Sequence, residues 1–262
     1  MLKILSLTFN EVYRIFHQKI TYLYIFSIMG IVVLCAFEVS QITRGENQHG
    51  FLYLTLAMQT TFNFIGVMVL LIFSSTIICS EVERRTIRNI LTRPVSRMDF
   101  FLAKLLSALI FQQILILAAA ATGIIIGMAS FGFADLMENG TLIYTKEQIG
   151  LNFVLSCLVI SFPLFAVTCY GLLISSLVDS VVAAVSVSIA SFIVLDIAKI
   201  RFGFAPYIFS SYIGTPFTVV ADMIEGFHFS WTPQLYYCIG ISMVWIVGAI
   251  FVGTVRIRNR DF

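Results

Sequence analysis

Apolar residues fall into six long runs separated by short polar stretches. The runs at 20–37, 51–79, 100–130, 149–177, 181–200 and 234–255 can each cross a hydrocarbon core of about 30 Å at about 1.5 Å per residue. Ahead of them, over 1–19, Leu5, Phe9, Val12 and Phe16 recur at helical spacing opposite Lys3, Asn10, Glu11, Arg14 and Gln18, which predicts a helix lying in the membrane interface. The stretch 201–233 breaks the pattern. Pro206, Pro216 and Pro233, three glycines and many aromatics cut it into apolar pieces too short to cross, so interfacial or re-entrant helices are expected there. The fold class predicted is an all-α polytopic membrane protein of six spans, forming a single domain over 1–262.

Polar positions inside the runs narrow the packing. Gln59, Thr60, Thr61 and Asn63 form a patch that is costly against lipid, so it faces other helices or a cavity; interhelical hydrogen bonding is the simpler reading and substrate contact the alternative. Gly123-x-x-x-Gly127 permits close backbone approach, within one subunit or across a dimer. Pro163 predicts a kink or local opening in the fourth run. The tight turn Val178-Asp179-Ser180 offers Asp179 as a cap for the fifth helix. Asp196 and Lys199 have the spacing of an i,i+3 pair.

Composition excludes a soluble domain: 59% of residues are hydrophobic and 11% charged, with a mean hydropathy of +0.97. The five cysteines are scattered through apolar runs without a CxxC, as small core residues are. No G-x-x-x-x-G-K-[ST] is present, and His17, His49 and His228 lie in separate segments. Neither a nucleophile–base set nor paired carboxylates stand out within a run. The chain is therefore expected to be non-catalytic, with no cofactor or metal of its own and no nucleic-acid partner.

Charge concentrates in one place. Between the second and third runs, SEVERRTIRNILTRPVSRMDFFLAK carries Arg84, Arg85, Arg88, Arg93, Arg97 and Lys104 beside Glu81, Glu83 and Asp99. The positive-inside rule puts such a loop in the cytoplasm. With both termini on that side, twelve cations fall inside and only Arg44, Lys146, Lys199 and Arg201 outside. The coupling loop at 80–99 also has helical grammar. Ser80 and Glu83 have capping-box spacing, Glu81 and Glu83 sit in a first turn, and Glu81 to Arg85 is a supportive pair. Ile87, Ile90 and Leu91 make an apolar stripe before Pro94 ends the helix after about three turns.

Glu81, Arg84, Arg85, Thr86, Ile87, Leu91, Arg93, Pro94, Val95, Ser96, Arg97 and Lys104 together resemble the loop after the second span of type-2 ABC exporter permeases, in the branch that includes the permease of nitrous-oxide-reductase maturation. The resemblance implies a transmembrane subunit in the cell inner membrane, paired with a second copy or a paralogue. A separate cytoplasmic ATPase, carrying ATP and magnesium, would dock on this loop. Glu81, Arg84, Arg85, Arg93 and Arg97 would then supply polar contacts, Ile87, Ile90 and Leu91 an apolar ridge and Pro94 the cap, with Asp179 a second, smaller contact. It also implies paired re-entrant helices forming part of an exit gate between the fifth and sixth spans. Gln59, Asn63, Asp196, Asp222 and Glu225 are the gate or cavity candidates, and membrane lipid is a further partner. Two other readings stay open: a relay passing ATPase motion to an outer partner without cargo, and an ATPase-independent channel or intramembrane enzyme.

Overall fold

The computed structural model describes residues 2–42, 49–83, 96–138, 141–225, 231 and 233–259. Among the described residues, six helices are long and apolar enough to span a membrane. After α1 (Leu2–Phe16) come the spans α2 (Lys19–Ile42), α3 (Gly50–Glu83), α4 (Arg97–Ser130) and α5 (Lys146–Leu177). α6 (Val181–Arg201) and α8 (Gln234–Asn259) complete the set, with α7 (Thr215–Ile224) between them. Each span outruns its apolar run, because the helix continues past the hydrocarbon boundary into polar residues that still complete its backbone hydrogen bonds.

α3 and α5 are the central pillars. They are 67% and 61% buried over their apolar windows, against 17% for α6, whose exposed face is open to lipid or to another chain. Small residues set the central contacts. Gly171 of α5 lies so close to Ser74 of α3 that a Cβ would overlap its hydroxyl. The Gly123-x-x-x-Gly127 face serves packing within the chain: Gly123 takes Leu54 of α3, and Gly127 lies against Phe133 and the Gly50 carbonyl. α5 runs unbroken through Pro163. Beside it the fully buried Gln112 of α4 donates from Nε2 to the Ser161 carbonyl (2.9 Å). Thr168 Oγ1 donates back to Gln112 Oε1 (2.9 Å).

Two features were not legible in the hydropathy pattern. α3 contains a π turn at Thr61–Gly66, where the i→i+5 bonding of the backbone accommodates an extra residue. The loop after α4 forms a small antiparallel hairpin, β1 (Leu136–Glu138) and β2 (Thr141–Tyr144).

The expected helix start at Ser80 is not there. α3 continues to Glu83, and Ser80 Oγ donates to the Ile77 carbonyl (3.4 Å) as a mid-helix serine does. The capping box lies instead at the head of α4, where Asp99 N–H donates to Ser96 Oγ (3.0 Å) and Ser96 N–H to Asp99 Oδ2 (3.3 Å). Asp179 is not the cap of α6 either. That position is Ser180, which makes no side-chain cap bond; the Val181 N–H donates to Glu83 Oε2 (2.9 Å) across the helix interface.

Candidate functional site

The basic end gathers α1, the last turn of α3, the first turns of α4 and the α5–α6 turn. Its centre is a closed ring of two anions and two cations. Lys104, fully buried eight residues into α4, reaches Glu11 Oε2 of α1 (2.7 Å) and Glu81 Oε1 of α3 (2.5 Å). Arg14 of α1 closes the ring on the same carboxylates, at 2.5 Å to Glu81 and 2.8 Å to Glu11. Each cation touches both acids, so the group is neutral and every member is paired. That is the condition under which burying charge is tolerable. The Phe100 ring lies 5.3 Å from Lys104 Nζ and adds a cation–π contact.

Neighbouring bonds extend the anchor. The Ile78 and Cys79 N–H groups lie 3.2 and 2.9 Å from Ser175 Oγ of α5. Glu83 holds the head of α6. The end of α3 is thus tied to α1, α4, α5 and α6 within its last two turns. Next to it opens a cleft of about 770 Å³, charged at its rim by Arg14 and Glu83 and floored by Tyr24, Phe73 and Ile77.

Glu81, expected in an exposed first turn, is 3% exposed and belongs to this ring. Arg97 sits at the head of α4, where its Nη1 donates to the Arg258 carbonyl of α8 (3.0 Å). Arg84, Arg85, Ile87, Ile90, Leu91, Arg93 and Pro94 lie outside the described residues. The ring's other members, Glu11, Arg14 and Lys104, were not singled out as a site. The signal for them was Lys104: a cation that deep in a span demands an anion, and the acids on adjoining element ends were the available ones.

The opposite end is built differently. Between α6 and α8 the chain folds into short 3₁₀ turns at Ala205–Tyr207 and Phe209–Tyr212, followed by α7. This segment reaches in among the spans: Trp245 Nε1, about three turns along α8, donates to the Tyr207 carbonyl (2.9 Å). Phe209 packs edge-on to Trp245 at 5.2 Å and against Phe192 at 6.2 Å. Ser156 of α5 donates to the Pro216 carbonyl (2.8 Å). Burial, with Cys238 and Tyr237 nearby, raises the Tyr212 phenol above its ordinary value, so it remains a donor, here to the Pro206 carbonyl (2.9 Å).

Of the gate candidates, Asp196 does pair with Lys199 (2.5 Å), and both meet Ser210: Asp196 accepts from it at 2.8 Å and Lys199 donates to it at 3.1 Å. Asn63 faces Gly214, where a Cβ would lie 3.0 Å from its Oδ1. Gln59 is half-buried, while Asp222 and Glu225 are exposed on and after α7. The patch divides at the π turn: Asn63 is exposed while Thr61 is fully buried. Among the described residues, no group of three or more His, Cys, Asp or Glu could hold a metal ion.

Six spans, a basic loop between the second and third, and a broken segment before the sixth frame the comparison with known proteins. The profile described as "ABC-2 family transporter protein" matches residues 8–191, from the middle of α1 to the middle of α6. The chain belongs to the ABC-2 transporter family. It is also 25% identical over 255 residues to "Uncharacterized membrane protein YdbK" of Bacillus subtilis (strain 168), covering 95% of this chain and 98% of that one. Family membership makes the chain a multi-pass membrane subunit of the transporter class, in which the permease is not the catalytic part and works with an ATPase subunit.

Proposed function

We propose that this ABC-2 permease is the transmembrane subunit of an exporter powered by a separate cytoplasmic ATPase, which docks on the loop at 84–95. In this reading the basic end faces the cytoplasm of the cell inner membrane, and the branch is the one containing the nitrous-oxide-reductase maturation permease. The observation that carries it is the ring of Glu11, Arg14, Glu81 and Lys104. A loop that is to transmit force has to leave from a stiff base, and α3 ends in one that holds four other helices. Glu81 then belongs to the base, and the docking contacts fall to Arg84, Arg85, Arg93 and Arg97, with Ile87, Ile90 and Leu91 as the ridge, Pro94 as the stop and Asp179 beside them.

ATP-driven closure of the partner pushes the loop, the ring passes the displacement to α3 and α4 together, and the aromatic segment at the opposite end shifts. In this reading Asn63, Gln59, Asp196, Asp222 and Glu225 are the gate and cavity residues. The exposed apolar face of α6, including Val187, Val194 and Ile197, is available to a second copy or a paralogue. The test is to reverse Arg84 and Arg85 to Glu and measure co-purification of the ATPase. Pull-down should fall at least tenfold, and undiminished pull-down rejects the docking role.

A further inference from the structure

A second cavity, of about 360 Å³, lies at the basic end away from the ring, between the head of α4 and the tail of α8. That volume is within the range of small-ligand pockets. Met98, Val255 and Ile257 give it apolar walls, and Arg97 and Arg258 stand at its mouth. Thr254 adds little polarity because its hydroxyl donates to the Phe251 carbonyl of its own helix (2.8 Å). α4 and α8 converge just beyond: Gly253 lies against the Phe101 ring, where a Cβ would stand 2.9 Å from Cζ.

Charge and apolar surface are arranged along one line. Arg97 is held across the mouth by its bond to the Arg258 carbonyl, and the Arg258 side chain is exposed, as is that of neighbouring Arg256. Among the described residues, Asp99 lies two positions along α4 from Arg97, and its carboxylate accepts from the Ser96 N–H. From the groove, exposed apolar residues continue toward the middle of the spans: Val255, Phe251 and Val247 at four-residue steps on α8, and Met98, Leu106 and Ile110 on α4.

We propose that this groove is a binding site for an anionic phospholipid of the adjoining leaflet. The phosphate sits between Arg97 and Arg258, whose planar guanidinium groups suit phosphate oxygens, and an acyl chain follows the two apolar stripes. Charge complementarity selects this occupant. A zwitterionic lipid brings a choline or amine that two arginines repel, whereas an anionic headgroup brings no such cation.

The experiment uses the purified full chain, stripped of lipid and equilibrated with mixed micelles holding equal phosphatidylglycerol and phosphatidylcholine; bound lipid is counted by native mass spectrometry. The native chain should retain phosphatidylglycerol at least fivefold over phosphatidylcholine. Arg97→Gln with Arg258→Gln should abolish that preference, and Val255→Trp, which fills the groove and keeps both arginines, should lower phosphatidylglycerol retention by a similar factor. Should the double variant misfold, Arg258→Gln alone carries the same test, since that side chain is exposed. An equal uptake of the two lipids by the native chain overturns the site. So does a preference that survives loss of the arginines, or one indifferent to the tryptophan, which would reduce the effect to surface charge.

Discussion

The two ends of this permease hold their helices together by opposite means. At the basic end four ionised side chains, from three separate elements, close a neutral ring around a lysine with no exposed surface. At the opposite end the broken segment is held by rings packed on rings and by single side-chain bonds to backbone carbonyls. A buried ionic ring fails all at once when one of its buried members is lost, because that strands another charge where solvent cannot reach it. A set of aromatic and carbonyl contacts gives way piecemeal, each contact contributing on the order of 1 kcal/mol. Under the proposed coupling, the first arrangement suits an input that must not yield, and the second a segment that moves.

Lys104→Met tests that contrast most severely. It leaves Glu11 and Glu81 facing only Arg14 and should cost roughly 3–5 kcal/mol, read by denaturant unfolding in detergent. Adding Glu81→Gln should recover much of the loss, and a cost below about 1 kcal/mol would mean that the ring is not an anchor. Trp245→Phe comes next. It keeps the ring against Phe209 and removes only the donor to Tyr207, so about 1 kcal/mol is expected, with increased protease access to 201–215 if the segment loosens first. Arg14→Gln should have the smallest effect, under about 1 kcal/mol and fading in high salt, since its side chain is 44% exposed. If it matched Lys104→Met, burial would not be what separates the members of the ring.

How far the chain could be read depended on whether a signal was local. Each span position follows from the length of its own apolar run, and the Asp196–Lys199 pair follows from spacing along one helix. The ring does not, because its members come from α1, α3 and α4, and periodicity within an element says nothing about which elements meet. Glu81 shows the difficulty in one residue. The Ser80-x-x-Glu83 pattern is a valid helix start, yet the preceding apolar run was already helical and continued through it, which turned Glu81 onto the inner face. The hairpin after α4 was missed because its strands are only three and four residues long.

The π turn in α3 carries a further consequence. One residue added to a helix of 3.6 residues per turn rotates everything beyond it by about 100°. The stretch before Thr61 and the stretch after Gly66 therefore aim their side chains along different bearings. A span that would otherwise behave as a single rod becomes a crank with two throws, one bearing on the hairpin side and the other on the ring. Migration of the extra residue by one position would swing only the side chain it passes, by about 100°, from the bearing of one throw to that of the other.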